Sequence, residues 1–183
     1  MKASNKGGLM NIEIIEQMKH SRIDNYAGIP GLTSWMLYKA DKGCVRLFEM
    51  FREQEEHITP HSHRFDFSCI VISGEVENTL YVNESMWKED EYVKTDMVYN
   101  SVGRYERGFN ETLPLMKKRQ TYFTNETYSM KAEEIHSIKF SKGAKVLFFE
   151  GETVTDTNVI LEPFVYGEHV PTFKVEEWMF KQR

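Results

Sequence analysis

The sequence predicts an all-β protein with a short helix near each end. Short runs rich in β-branched and aromatic residues follow one another along the chain, and turns that contain glycine separate several of them. No long helical pattern lies between consecutive runs, which argues against alternating β-α-β units. Many short strands at close spacing are typical of a β-sandwich or a β-barrel.

The composition limits the class of protein further. The chain has 183 residues, of which 40% are hydrophobic and 28% charged, as in ordinary soluble domains. This length predicts a single domain over 1–183. The net charge of −5 argues against general nucleic-acid binding, which requires a basic surface.

The sequence also carries information about the cellular compartment. No apolar run follows the first residues as in a secretory signal, and no run approaches the roughly 20 apolar residues that span a bilayer. We therefore expect a cytoplasmic protein with no membrane partner. In that compartment Cys44 and Cys69 should be reduced thiols.

The first predicted element is a helix, because Ile12, Ile15 and Met18 recur with the spacing of one helix face. Nine extended runs follow it and place the barrel core at about 33–166. The turns at 41–43 and 142–144 each contain glycine and favour hairpins. A last helix is predicted over 175–181. The predicted strands are 33–39, 44–51, 67–73, 75–82, 120–124, 128–131, 135–140, 145–150 and 157–165.

The segment 83–114 has a different character from the runs on either side. It is rich in Glu, Asp, Lys, Asn and Gly with scattered aromatic residues. We interpret it as a polar insertion in the barrel. Its aromatic residues would form either a lid or a plug that packs on the barrel mouth.

The densest chemical signal is the pair His61 and His63, which precedes the apolar run that stops at Gly74. Residues two apart on an extended chain point to the same face, so both rings can enter one cavity. Neutral imidazole is the commonest metal ligand. The pair therefore predicts half of a metal site.

This stretch resembles the first conserved motif of the cupin superfamily, the RmlC-like proteins. That motif consists of His-x-His, three or four residues, a glutamate, six residues and a glycine. Here Gly74 stands in register, seven positions after Phe67, and Phe67 occupies the place of the glutamate. The second cupin motif centres on one histidine before a hairpin and matches His136, although its usual Pro-x-Gly is missing.

The resemblance implies a double-stranded β-helix, the jelly-roll barrel of the cupins. It further implies that His61, His63 and His136 form a facial three-histidine metal site, with Phe67 as an apolar wall. Loss of the carboxylate ligand is the pattern of the thiol dioxygenase branch, and 74–81 is similar to the corresponding run of cysteine dioxygenases. The cysteine that forms a cross-link in those enzymes would fall at Phe67, whereas Cys69 lies two residues further on.

Three neutral ligands leave the charge of a divalent metal uncompensated and leave positions open for a substrate and O2. The resemblance therefore implies one divalent transition metal and a small anionic substrate. Fe(II) is the expected metal, and zinc, nickel and manganese stay open as alternatives. Imidazole as a ligand suits zinc, nickel and copper as well as iron. The first functional hypothesis is a mononuclear non-haem iron dioxygenase, and the family habit of pairing barrels implies a homodimer.

Two further classes of function stay open at this point. One is a cupin that binds or senses a small ligand without turnover, and the other is a metal-free or metal-assisted isomerase with a histidine as general base. No catalytic residue beyond the proposed ligands follows from the sequence.

Other residues could lie near the proposed ligands or hold a substrate. Asp66 is one residue from the glutamate position, and strand alternation should turn it to the opposite face. We expect His57 to face solvent and Cys69 to face the cavity as a small buried side chain. An inward arginine or tyrosine could hold a carboxylate substrate; the candidates are Arg46, Arg52, Arg119, Tyr81 and Tyr122.

Overall fold

The protein is described by a computed structural model that covers residues 12–55, 57–83, 90–100 and 105–164. Within these ranges there is one α-helix, α1, at Ile12–Met18, and one short 3-10 helix at Tyr26–Gly28, and the rest of the regular structure is strand. Among the described residues no helix is long and apolar enough to cross a membrane. The strands are β1 Ser21–Asp24, β2 Leu32–Lys39, β3 Cys44–Met50, β4 Phe65–Ser73, β5 Glu75–Val82, β6 Asp90–Tyr99, β7 Tyr105–Phe123, β8 Thr127–Met130, β9 Ile135–Phe140, β10 Lys145–Thr153 and β11 Thr157–Pro163.

The strands form two antiparallel sheets. The first has the order β1-β2-β3-β10-β4-β8, and the second has the order β11-β6-β7-β5-β9. From β4 onwards the chain crosses repeatedly between them: β4, β8 and β10 lie in the first sheet, and β5, β9 and β11 lie in the second. This is the path of a double-stranded β-helix, so the predicted cupin-type barrel is confirmed.

The main core lies between the two sheets. Val71 of β4, Val76 of β5 and Val146 of β10 are at most 1% exposed, and a group of phenylalanine rings packs around them. The large apolar side chains come from alternate positions of each strand, because successive residues of a strand point to opposite faces. This core forms the interior in which the histidines lie.

The predicted N-terminal helix is present at Ile12–Met18. Its one buried residue, Ile15, packs with Leu37, Leu47 and Leu147 in a second apolar cluster. Lys19, just after the helix, pairs with Glu49 of β3 at 3.0 Å. The helix predicted over 175–181 lies outside the described residues.

The second sheet closes on itself through the segment 58–63. His61 forms backbone bridges to His136 of β9 on one side and to Ile160 of β11 on the other. Since β11, β6, β7, β5 and β9 are already paired in that order, the pairing forms a complete ring. Tyr92, Leu115 and Leu161 of this sheet form a small apolar cluster of their own.

The segment predicted as a polar insertion, 83–114, differs from that expectation in its described part. Residues 90–99 form β6, and 105–114 form the first half of β7. β6 pairs with β11 on one side and β7 on the other, so it is a central strand of the second sheet. The sequence looks polar because the buried residues Tyr92, Thr95 and Met97 are separated by charged or exposed ones.

The turn between β4 and β5 requires glycine at position 74. Gly74 has φ +72°, and a Cβ atom there would lie 2.8 Å from the Cα of Ala144. Gly143 has a similar φ of +82°, but nothing lies within 4 Å of the place where its Cβ would be. Substitution of Gly143 would therefore add backbone strain alone, whereas substitution of Gly74 would add both backbone strain and a steric clash.

We predict that Gly74→Ala lowers the free energy of unfolding more than Gly143→Ala. Both variants carry the left-handed strain of about 1–2 kcal/mol, and only Gly74→Ala adds a backbone clash. Urea unfolding followed by circular dichroism measures both. Equal losses in the two variants would contradict the close approach at Gly74.

Candidate metal centre

The three histidines predicted as ligands lie together inside the barrel. His61 and His136 are buried and His63 is half-buried, and each offers a ring nitrogen within 4.8 Å of the other two. The ring centroids are 4.8 Å apart for His61 and His63 and 5.2 Å apart for the other two pairs. The His-x-His pair and the histidine 73 residues further along thus meet at one point.

Backbone pairing brings them there. The N–H of His61 donates to the carbonyl of His136 at 2.8 Å, and the N–H of His136 donates back at 2.9 Å. The N–H of His63 donates to the carbonyl of Ala132, in the loop before β9, at 3.0 Å. Both ends of the His-x-His segment are therefore bound to the part of the chain that carries His136.

Two of the rings have their orientation fixed by an acceptor. Nδ1 of His61 lies 2.8 Å from the carbonyl of Thr59, and Nδ1 of His136 lies 2.7 Å from Oδ1 of Asn78. Since both oxygens can only accept, each Nδ1 carries the proton and each Nε2 presents a lone pair. Such hydrogen bonds to the second ring nitrogen are the usual support of a metal-binding histidine.

His63 completes the cluster through a contact between rings. Its Nε2 lies 3.0 Å from Nε2 of His136. Because Nε2 of His136 holds a lone pair, Nε2–H of His63 is the donor in this hydrogen bond. Coordination of a metal by this atom of His63 would therefore require the proton to leave Nε2.

The surroundings keep the three imidazoles neutral. Burial lowers the pKa of His61, although its hydrogen bond to Thr59 works in the other direction. Burial also holds the pKa of His136 and that of His63 well below the usual range, and the neighbouring histidines add to the shift. Neutral imidazole is the form that binds a metal, so the cluster is ready to coordinate at neutral pH.

Phe67 lies where the cupin motif has its glutamate, and it forms a wall of the site. Its ring centroid is 4.8 Å from that of His63 and 5.7 Å from that of His136. The side chain is only 5% exposed. The cluster therefore has an apolar neighbour in the place of a fourth, anionic ligand.

Asp66 does not take the place of that carboxylate. Its Oδ1 accepts from the backbone N–H of Ala132 at 2.9 Å, and its Oδ2 pairs with Lys131 at 2.7 Å. These contacts place it away from the cavity, as strand alternation predicts, and the hydrogen bond from Lys131 is the main cause of its lowered pKa. Asp66 is therefore not part of the cluster that the three histidines form.

His57 was expected to face solvent, but the structure places it half-buried against the other face of the second sheet. Its Nε2 lies 2.7 Å from Glu77, and its Nδ1 lies 3.2 Å from the hydroxyl of Ser137. Ser137 follows His136 on β9, and consecutive strand residues point to opposite faces. His57 is therefore separated from the three-histidine cluster by the sheet itself.

Cys69 faces the cavity as predicted and is 2% exposed. Burial raises the pKa of its thiol to about 12, so it stays protonated and is a weak nucleophile. None of the five arginine and tyrosine candidates for holding a carboxylate lines the cavity.

The residue that sequence reasoning missed is Asn78. It lies on β5 opposite Ile138, one diagonal step from His136 on β9, and such neighbours are within reach of one another. Its position shares the parity of the buried Val76, which is a signal that it faces inward. No local pattern indicates that an inward asparagine there meets a histidine 58 residues away.

We predict that the metal-free protein loses stability as the pH falls from 7.5 to 5.5. Unfolded histidines have a pKa near 6.5 and take up protons that the folded cluster excludes, at a cost of up to about 1.4 kcal/mol per pH unit for each histidine. The paired carboxylates have lowered pKa values and titrate below this window. Urea unfolding of chelator-treated protein at three pH values measures the slope.

The matched variant for this experiment is His63→Phe, whose new ring would lie among Phe65 and Phe67. Because this variant has one fewer histidine that stays unprotonated on folding, its free energy of unfolding should change less with pH. A free energy of unfolding that stays constant across the window in the parent protein would contradict the neutral cluster.

The solved structures that are similar to this chain share little sequence with it. KdgF from Halomonas sp. is 13% identical with a TM-score of 0.44, over 78% of this chain and 93% of that one. An RmlC-like cupin from Shewanella frigidimarina is 14% identical with a TM-score of 0.42, over 76% and 88%. A hydroquinone 1,2-dioxygenase from Sphingomonas sp. TTNP3, solved with 4-hydroxybenzoate, is 12% identical with a TM-score of 0.39, over 65% of each chain.

No protein-family model matches the chain, and no curated protein sequence matches it. The assignment of the fold therefore rests on the strand pairing and on the histidine cluster. By its two sheets and by the path of the chain between them, the chain has the fold of the cupins, and this fold brings His61, His63 and His136 together in one cluster.

Proposed function

We propose that His61, His63 and His136 bind one divalent metal ion. The observation that carries this proposal is the convergence of three ring nitrogens within 4.8 Å of one another in the interior of the barrel. Three neutral imidazoles in this arrangement suit a first-row transition metal. The supporting acceptors Thr59 and Asn78 already leave Nε2 of His61 and of His136 with a lone pair.

The residues present fit a metal better than they fit a purely structural cluster. Without a metal, Nε2–H of His63 satisfies the lone pair on Nε2 of His136, which lies 3.0 Å away. Nε2 of His61 has no such partner in the contacts described. Coordination would use all three nitrogens at once.

We further propose that the protein is a mononuclear non-haem iron dioxygenase that acts on a small anionic molecule. A divalent iron bound by three neutral ligands supplies a positive charge for an anionic substrate and open positions for that substrate and O2. The chain's own contribution is to orient the rings through Asn78 and Thr59. Phe67 and Phe148, with ring centroids 5.0 Å apart, keep the adjoining space apolar and limit access of water.

The small-molecule partner is part of the same proposal, because the cavity beside the histidines has a volume of about 100 Å³. A homodimer stays a prediction from the resemblance. Fe(II), as opposed to zinc, nickel or manganese, and the cytoplasmic location are likewise proposals.

Protein purified without added metal should contain about one first-row metal ion per chain, and His61→Ala should lose it. The matched control is His57→Ala, which removes a half-buried histidine that lies outside the cluster and should leave the metal content unchanged. Elemental analysis of folded protein, checked by circular dichroism, measures both. Full metal retention in His61→Ala would refute the assignment.

The same protein samples can be used to distinguish a dioxygenase from a protein that only binds its ligand. Iron-loaded protein should consume O2 with a member of a panel of small organic acids and thiols, and His61→Ala should not. Thermal stabilisation by a panel member without any O2 uptake would instead favour a cupin that binds its ligand without turnover. Activity that survives a chelator and removal of oxygen would favour an isomerase.

Asn78→Leu should lower the metal affinity by about 10- to 100-fold, because Nδ1–H of His136 loses its acceptor. Asn78→Asp keeps an oxygen in reach of that ring and should retain most of the affinity. Competition with a chromophoric chelator measures the dissociation constants. If Leu and Asp at this position weaken binding equally, the hydrogen bond does not position the ring.

A further inference from the structure

The cavity beside the histidines has an apolar lining. Besides the three histidines, most of its described wall consists of aliphatic and aromatic side chains, among them Phe48, Phe65, Phe67, Phe148 and Ile138. The remaining polar groups are the hydroxyls of two tyrosines and the thiol of Cys69. A ligand that extends away from the histidines therefore meets hydrocarbon on most sides.

No aspartate, glutamate, lysine or arginine belongs to the described wall of this cavity. The side chain of Arg46 packs on the ring of Tyr26, 5.5 Å from its centroid, and donates to Ser34, so it does not reach the cavity. Arg52 donates to the carbonyl of Pro30 and borders the adjoining surface cleft, which shares Ile29 and Ile58 with the cavity wall. Within the described wall, a metal held by the histidines would therefore supply the positive charge that balances an anionic ligand.

This charge distribution restricts the ligand. A charged group buried without a partner is strongly disfavoured, because its hydration is lost and nothing replaces it. One acidic group can lie at the histidine end, where the metal would be. A second carboxylate, or the ammonium group of an amino acid, would lie among phenylalanine rings.

The volume restricts the ligand as well. About 100 Å³ corresponds to roughly three water molecules in the liquid, at about 30 Å³ each. An engineered apolar cavity of about 150 Å³ in another protein accepts benzene. The space therefore suits a short aliphatic chain or, with small adjustments of side chains, one ring.

We propose that the ligand of this site is a small monoanion with a single acidic group and an apolar body. The acidic group, a carboxylate, phenolate or thiolate, lies at the three histidines, and the body lies against Phe65, Phe67 and Phe148. Zwitterionic amino-acid thiols and dicarboxylates should bind more weakly, because the described wall of the cavity offers no partner for their second charge. This inference rests on the proposed metal site and narrows the class of its substrate.

Three four-carbon acids test it on the full chain loaded with zinc, which is redox-inert. Butyrate has one carboxylate and an apolar chain, succinate adds a second carboxylate, and 4-aminobutyrate adds an ammonium group. Isothermal titration calorimetry should show butyrate binding about tenfold more tightly than either of the others, because only butyrate buries no unpaired charge. Succinate or 4-aminobutyrate binding as tightly as butyrate would overturn the proposal, and so would failure of all three to bind zinc-loaded protein.

A charge placed in the wall provides a second test. Phe65 is partly buried and lies 5.4 Å from the ring of His63, so Phe65→Lys places an ammonium group at the cavity. This variant should bind succinate more tightly than butyrate. The matched control is Phe51→Lys, which alters a 58% exposed phenylalanine outside the cavity. This control should bind butyrate more tightly than succinate, as the parent protein does. An unchanged order in folded Phe65→Lys would count against the proposed position of the ligand body.

The outcomes distinguish this inference from the proposal on which it rests. Zinc content is measured on every sample before titration. Protein that binds no zinc refutes the metal site, whereas zinc-loaded protein with the reverse order of affinities refutes only the class of ligand.

Discussion

The reciprocal backbone hydrogen bonds between His61 and His136 are the constraint on which the rest of the site depends. They join the segment 58–63 to β9 and set the two residues directly opposite each other in an antiparallel pair. Side chains of directly paired residues leave the sheet on the same face. Both imidazoles therefore enter the barrel together, and His63 follows two residues later on the same side.

The same segment also carries the closure of the second sheet. Its other edge pairs with β11, where the N–H of Ser62 donates to Val159 and the N–H of Leu161 donates to Pro60. A segment held on both edges has little freedom to move, and the rings that it carries are positioned with corresponding accuracy. The hairpin of β6 and β7 supports the site indirectly, because it connects β11 to β5 and so completes the ring.

The apolar interior gives the cluster its chemical character. Imidazoles placed against Phe67 and other rings lose hydration, which lowers their pKa values and leaves them neutral and able to coordinate. The same interior offers no fixed charge from the described residues to a ligand. The apolar character of the wall therefore governs both the protonation of the histidines and the kind of molecule that can lie beside them.

Local sequence pattern was sufficient for much of this protein. The alternation of apolar residues and the glycine turns predicted an all-β protein. The resemblance of the stretches around His61, His63, Gly74 and His136 to the cupin motifs implied the type of barrel and the histidines that meet inside it. Tertiary structure alone decided that β6 and β7 are central strands, that Asn78 orients His136, that His57 lies behind the sheet and that no described cation lines the cavity. The physical reason is that pattern reports which face of a strand is buried, whereas these features depend on which distant strands pair and on what the opposing faces bring together.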